Sequence, residues 1–183
     1  VDHQPQIAET LKGLGTVATL RGELDDAQTN YEKALTITRE LGDKRGIANN
    51  LNNLGIVMRY KGALDDAQVY YEQSLALRRE IGDKRGIASS LNNLGIIAKT
   101  AHRLQDATTY YGESAEIFRE MGDLRGIAVI LNNLGGIYLQ QEDYISAIEC
   151  YTEAIPIAQQ IGDKRSVAHA PENLAQASLL QGN

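Results

Sequence analysis

Apolar residues recur along this chain every three or four positions, with polar residues between them. After Asp43 the apolar positions are Ile47, Leu51, Leu54 and Met58, which is the spacing of one face of an α-helix. A second segment of the same kind opens at "LDDA" and runs to the next Gly-Asp pair. Because there is no alternating run of β-branched residues, the pattern predicts pairs of helices and leaves little room for strands.

Glycine and aspartate mark the predicted helix ends. Asp43, Asp83, Asp123 and Asp163 each follow a glycine, so we expect the glycine to end one helix and the aspartate to cap the next. A further glycine, Gly62 in the second pair, is expected to end the first helix of that pair. The acidic residues of "LDDA" then lie at the positive end of the second helix.

The helix pairs repeat with a period of forty residues. "GDKRGIANNLNNLG" (42–55) returns as "GDKRGIASSLNNLG" and then as "GDLRGIAVILNNLG". Such a period is typical of a solenoid, in which each unit is stable only when stacked on its neighbours. The sequence therefore predicts one array over residues 1–183. Its units are about 2–41, 42–81, 82–121 and 122–161, followed by a terminal helix at 162–183.

Several positions inside each unit combine large apolar, small and aromatic residues at fixed spacing. In the second unit these residues are Leu51, Leu54-Gly55, Ala67, Tyr71 and Ser74. With this pattern the chain resembles the longer variety of the tetratricopeptide repeat (TPR), as in kinesin light chains, Pins-type adaptors and bacterial regulatory arrays. The resemblance implies an all-α fold, a right-handed α-solenoid of antiparallel helix pairs. It also implies that the first helix of each pair lines a concave groove.

A polar face follows the first helix of each pair. From Arg45, the residues Asn49, Asn52, Ile56 and Arg59 fall on one side of the helix. Asparagine is unfavourable inside a helix, so paired asparagines in three successive units require a reason. The candidate groove residues are Arg45, Asn49, Asn52, Asn53, Arg59, Arg85, Asn92, Asn93, Lys99, Arg125, Asn132, Asn133 and Arg165.

These residue types suit the binding of a peptide. An asparagine amide both donates and accepts hydrogen bonds, so a row of amides could hold an extended peptide backbone. Arginines, with Lys12 and Lys99 nearby, favour acidic side chains or a terminal carboxylate. The resemblance to peptide-binding TPR proteins supports this interpretation.

A structural role is the alternative for both residue types. The asparagines could bond to the backbone of the neighbouring unit and set the geometry between units. The arginines could pair with the capping aspartates, or with Glu40, Glu80 and Glu120 at the preceding helix ends. Both roles can hold at once.

Composition excludes several other functions. A net charge of −6 argues against a general nucleic-acid binder, and no apolar run approaches the roughly 20 residues of a membrane span. The single cysteine, Cys150, reads as a packed thiol and suits a reducing, cytoplasmic location. The three histidines fall at unrelated positions, so we expect no metal site. No phosphate-binding loop or catalytic group is present, so we expect neither a cofactor nor an enzyme.

The sequence thus predicts a noncatalytic scaffold that binds a partner peptide with acidic residues. The second hypothesis is a structural spacer or self-association module of a larger, bacterial regulatory protein, acting through its terminal helices. The chain starts at Val1 and stops at "LLQGN", where a further helix would begin, which favours a piece of a longer array. Pro5 suits a helix start, whereas Pro171 predicts a late start or a kink in the last helix.

Overall fold

The computed structural model describes residues 3–182, and the side chains of residues 164–170 lie outside that description. The described residues form nine helices of 17 or 18 residues each. They are α1 (Gln4–Arg21), α2 (Leu24–Glu40), α3 (Lys44–Lys61), α4 (Leu64–Glu80), α5 (Lys84–Thr100), α6 (Leu104–Glu120), α7 (Leu124–Gln140), α8 (Tyr144–Gln160) and α9 (Lys164–Gln181). The prediction of an all-α fold built from paired helices is confirmed.

The helices fall into two compact units, Val1–Ile97 and Ala98–Asn183. In the first, α1 packs on α2, α2 on α3 and α3 on α4; in the second, the same holds from α6 to α9. The connections are short, so successive helices run antiparallel. In addition α1 contacts α3, and α7 contacts α9. The first helices of successive pairs therefore lie next to one another along one side of each unit.

Aspartate side chains begin the first helices, as predicted. The Oδ1 atom of Asp43 accepts a hydrogen bond from the backbone N–H of Gly46 at 2.9 Å. Asp83 and Asp123 cap the next two first helices through bonds of 3.1 Å. Asp143 caps α8 in the same way, at 3.1 Å from the N–H of Ser146. Each bond satisfies a backbone donor that the helix leaves unpaired.

Residues in the left-handed conformation end the first helices. Gly22 and Gly62 have φ of 78° and 80°, and the N–H of Gly62 bonds to carbonyls of the last turn of α3. In the next two pairs this position is His102, with φ of 57°, and Glu142, with φ of 61°. A side chain makes this conformation costly, so the turn geometry of the array outweighs local preference at these two residues.

Tyrosine rings pack on glycines inside each helix pair. A Cβ atom added to Gly55 on α3 would lie 2.6 Å from the ring of Tyr71 on α4. The same close approach joins Gly135 to Tyr151 between α7 and α8. Both tyrosines are buried. These glycines are therefore required by the aromatic residue of their own helix pair.

The prolines fit the helical array. Pro5 lies in the first turn of α1, as predicted. Pro171 lies inside α9, which begins at Lys164, so the late start predicted as one alternative does not occur. Pro156 lies inside α8. Within the described residues, no helix combines the length and apolarity that crossing a membrane requires.

Candidate functional site: the polar face of the first helices

The candidate site residues are the predicted arginines and asparagines on the polar faces of α3 and α5 in the first compact unit, and Lys99 with the arginine and asparagines of α7 in the second. On α3, Arg45 is exposed, whereas Asn49, Asn52 and Arg59 are half-buried. The buried face of the same helix holds Leu51, with 2% of its surface exposed. The apolar stripe thus fixes the rotation of α3, and this rotation leaves the polar face partly open to solvent.

One asparagine pair connects two successive first helices. Nδ2 of Asn93 on α5 donates a hydrogen bond of 3.0 Å to Oδ1 of Asn52 on α3. This agrees with the structural alternative, except that the bond joins two side chains and does not reach the backbone. Within the described residues it uses one donor of Asn93 and one acceptor site of Asn52. The Nδ2 donors of Asn52 and the Oδ1 acceptor of Asn93 have no hydrogen-bond partner among the described residues.

The other asparagines differ in their contacts. Nδ2 of Asn132 donates to the carbonyl of Ala128 at 3.1 Å, one turn earlier in α7. Asn53 is half-buried. It has no asparagine partner of the kind that Asn93 has in Asn52, because the residue equivalent to Asn52 in the first unit is Lys12. Asn92 and Asn133 are half-buried, and neither is without a partner. The predicted asparagine row is therefore not uniform from unit to unit.

The predicted arginines differ in their contacts. Arg45 and Arg125 are exposed and have no ion pair within the residues that the structure describes. Glu80, predicted as an arginine partner, instead pairs with Lys44. Arg85 is exposed but not without a partner. Arg165 lies outside the described side chains, so its predicted place in the groove stays a prediction.

Arg59 and Lys99 lie further along the first helices. The guanidinium of Arg59 lies over the ring of Tyr60, with 4.6 Å from Cζ to the ring centroid. It is also near the hydroxyl of Tyr71, where burial raises the tyrosine pKa to about 12 and the Arg59 charge opposes that rise. Lys99 is half-buried, with Nζ 3.4 Å from where a Cβ of Gly136 would stand. Arg59 therefore lies close to tyrosine side chains, and Lys99 lies close to the backbone of α7.

A buried arginine on α4 was missed by the sequence analysis. Arg78 has 5% of its surface exposed, and its guanidinium donates to the Gly86 carbonyl at 2.6 Å, to Ser90 Oγ at 3.1 Å and to Asn49 Oδ1 at 3.2 Å. Asn49, predicted to face a ligand, thus also holds this arginine. The forty-residue repeat could have indicated this burial, because the positions equivalent to Arg78 in the neighbouring units are Thr38 and Phe118. Both of these side chains are buried.

A cavity of about 310 Å³ opens between α1, α2 and α3. It brings together the predicted residues Arg45 and Asn49 with Glu9, Thr38 and Asn50, the last three of which were not proposed as site residues. Asn50 has 1% of its surface exposed, and its Oδ1 atom has no hydrogen-bond partner among the described residues. A buried acceptor without a donor is uncommon and costly, so this wall is polar and incompletely satisfied.

Cys150 shows no sign of reactivity. The side chain is half-buried on α8, and burial, with the nearby carboxylates of Glu153 and Glu149, raises the thiol pKa to about 11. The thiolate, which is the nucleophile, is therefore scarce at neutral pH. This agrees with the predicted packed thiol.

Comparison with known proteins identifies the repeat. A family model described as tetratricopeptide repeat matches residues 6–80, 64–120 and 126–183. A comparison with curated proteins found no match. Among solved structures, BtubC (BKLC) from P. vanneervenii has a TM-score of 0.86 at 24% identity, and the match covers 95% of this chain and 72% of that one.

Two further solved structures show the same architecture. The TPR-like repeats of a putative kinesin light chain from Podospora anserina match with a TM-score of 0.81 at 14% identity, over 100% of this chain and 89% of theirs. A Rap protein complexed with Competence and Sporulation Factor matches with a TM-score of 0.85 at 18% identity, over 100% of this chain and 55% of its own. The chain thus spans little more than half of that Rap protein. At these identities the likeness shows the fold, an all-α solenoid of helical repeats.

Proposed function

Since this chain belongs to the tetratricopeptide repeat family, we propose that it is a noncatalytic scaffold that binds an extended peptide segment of a partner protein. The peptide lies along the polar face of the first helices within a compact unit, and a cytoplasmic location suits this role. The observation that carries the proposal is the Asn52–Asn93 pair, which leaves a donor and an acceptor on adjacent helices. A peptide backbone presents the complementary groups in regular order.

The charges on this face support an acidic partner segment. Arg45 and Arg125 are exposed and without an ion pair in the described part of the chain. Arginine binds carboxylates through two parallel hydrogen bonds, and a solvent-exposed pair of this kind contributes up to about 1 kcal/mol. The Rap structure supports partner binding by this architecture, because that relative is complexed with Competence and Sporulation Factor.

A random-peptide display selection tests the proposal. We expect the selected peptides to be enriched in Asp and Glu, and the double variant Arg45→Gln/Arg125→Gln to bind them at least about tenfold more weakly. The matched control is Lys33→Gln/Arg39→Gln, which removes two exposed charges from α2 and should leave the dissociation constant unchanged. Calorimetry gives the affinities, and circular dichroism checks the fold. Equal binding by both double variants would contradict the proposed site.

Self-association is the second candidate function, and exposed apolar residues on α1 favour it. Leu14, Val17 and Leu20 are 52%, 46% and 84% exposed, and removing such surface from water drives association. We expect light scattering to show a mass that rises with concentration and returns to that of a monomer in Leu14→Lys/Leu20→Lys. A mass independent of concentration in the unaltered protein would exclude this candidate.

A further inference from the structure

The guanidinium of Arg78 has a site of its own inside the first compact unit. Its three acceptors come from two helices: the Gly86 carbonyl and the Ser90 hydroxyl on α5, and the Asn49 amide oxygen on α3. No carboxylate bonds to it among the described residues. Uncharged acceptors of the walls, together with the nearby charge of Asp83, therefore hold a buried cation with several hydrogen-bond donors.

Forty residues earlier, the equivalent positions line an open cavity. The positions equivalent to Arg78, Gly86, Ser90 and Asn49 are Thr38, Gly46, Asn50 and Glu9. All four line the cavity of about 310 Å³ between α1, α2 and α3. The cavity exists because Thr38 is short, and because its hydroxyl bonds back to the carbonyls of Ala34 and Leu35, both at 3.0 Å. The first helix pairs thus have polar residues at the equivalent positions, but no arginine between them.

We propose that this cavity binds a guanidinium group, supplied by an arginine side chain of the partner peptide. The acceptors are the Gly46 carbonyl, Oδ1 of Asn50 and the carboxylate of Glu9, in place of those that hold Arg78. The partner is that of the proposed function, but the site requires only the residues of α1, α2 and α3. An arginine next to acidic residues thus becomes the expected motif of the bound segment.

The orientation of the Asn50 amide follows from its neighbour. Because the hydroxyl proton of Thr38 is donated to backbone carbonyls, Thr38 Oγ1 can only accept from Asn50. Nδ2 of Asn50 lies 3.4 Å from that oxygen, and this leaves Oδ1 as the atom that needs a donor. Oδ1 is the buried acceptor without a partner. A guanidinium supplies the missing donor.

Two acidic and two basic side chains line the cavity. Glu9 and Lys12 stand where the second unit has neutral Asn49 and Asn52, so the charges they add to the first site cancel, and Asp43 also lines it. Lys12 and Arg45 line it as well, and Nζ of Lys12 contacts Oε2 of Glu9 at 2.7 Å. That pair is exposed on the Glu9 side, where solvent weakens it. A bidentate guanidinium can therefore displace the lysine from the carboxylate.

Small probes test this site without any knowledge of the partner. N-acetyl-L-arginine amide is titrated into the whole ¹⁵N-labelled chain, and N-acetyl-L-citrulline amide is its uncharged control. We expect the arginine probe to shift the Gly46 backbone amide and the Asn50 side-chain amide, with saturation in the millimolar range. Citrulline should bind at least about tenfold more weakly, as should the arginine probe with Glu9→Gln. No shift at these amides up to about 50 mM probe would overturn the proposal.

A variant that fills the cavity gives an independent test. Thr38→Arg/Asn50→Ser copies the Arg78 and Ser90 pair into the first unit, and Thr38→Met/Asn50→Ser is its uncharged control. We expect the arginine variant to fold, to melt at a temperature no lower than that of the methionine variant, and to bind the arginine probe at least about tenfold more weakly than the unaltered chain. A lower melting temperature for the arginine variant would show that the walls reject a guanidinium. Loss of peptide binding with retained probe binding would instead count only against the proposed function.

Discussion

Replacing Tyr71 with alanine should lower the free energy of unfolding by about 3–5 kcal/mol. The side chain has 0% of its surface exposed, and its ring lies against the backbone of Gly55 on the facing helix. Removing the ring leaves an unfilled space between the two helices. Urea denaturation followed by circular dichroism measures the loss.

Two further substitutions test whether the loss of the ring causes this decrease in the free energy of unfolding. Tyr71→Phe keeps the ring and removes a hydroxyl that has no hydrogen-bond partner among the described residues, so it should cost less than about 0.5 kcal/mol. Gly55→Ala places a methyl group 2.6 Å from the ring and should cost about 1–3 kcal/mol. Its control is Gly13→Ala, which meets nothing within 4 Å and should stabilise α1 by up to about 1 kcal/mol. If alanine and phenylalanine at residue 71 cost the same, the ring is not what spaces the helices.

The helices could be predicted because their signals are local. The apolar spacing from Ile47 to Met58, the capping Asp43 and the terminal Gly62 all act within one helix, and α3 begins and ends as they indicate. The forty-residue period then supplied the order of the units. The resemblance to TPR proteins supplied the family, which the family model confirmed.

The contacts within the candidate site could not be predicted in the same way. The partner of Asn52 is Asn93, and the partner of Asn49 is Arg78. Each pair joins two helices, so it depends on the distance and rotation between them. One sequence position also changes its role from unit to unit: the periodicity marks residues 78 and 118 as equivalent, yet one is a buried cation and the other an apolar ring.

A buried pair of positions varies together along the array. Where the second helix has Thr38, the following first helix has Asn50, and Nδ2 of Asn50 lies 3.4 Å from Thr38 Oγ1. One unit later the pair is Arg78 and Ser90, joined at 3.1 Å. In the next unit the positions hold Phe118 and Ile130, both buried. Both residues of the pair are thus polar in two units and apolar in the third. In these three units a buried polar residue is not paired with an apolar one.

The pair Arg78 and Ser90 should therefore show strong coupling in stability. Arg78→Phe removes the donors of Ser90 and of the Gly86 carbonyl, and Ser90→Ile removes an acceptor of the buried guanidinium and crowds it; each should cost about 2–4 kcal/mol. The double variant Arg78→Phe/Ser90→Ile copies the residues of the next unit and should recover part of the loss, giving a coupling free energy of about 1–3 kcal/mol. Urea denaturation of the four proteins measures the coupling.

A second double-mutant cycle serves as the control for this coupling free energy. It combines Ser90→Ile on α5 with Gly13→Ala on α1, where an added methyl group meets no neighbour, so the two effects should add within about 0.5 kcal/mol. The same additivity for Arg78→Phe and Ser90→Ile would show that the two sites are independent. The guanidinium of Arg78 would then be held by Gly86 and Asn49 alone. Coupling in the first cycle but not in the second would establish that the buried residues 78 and 90 are matched to each other.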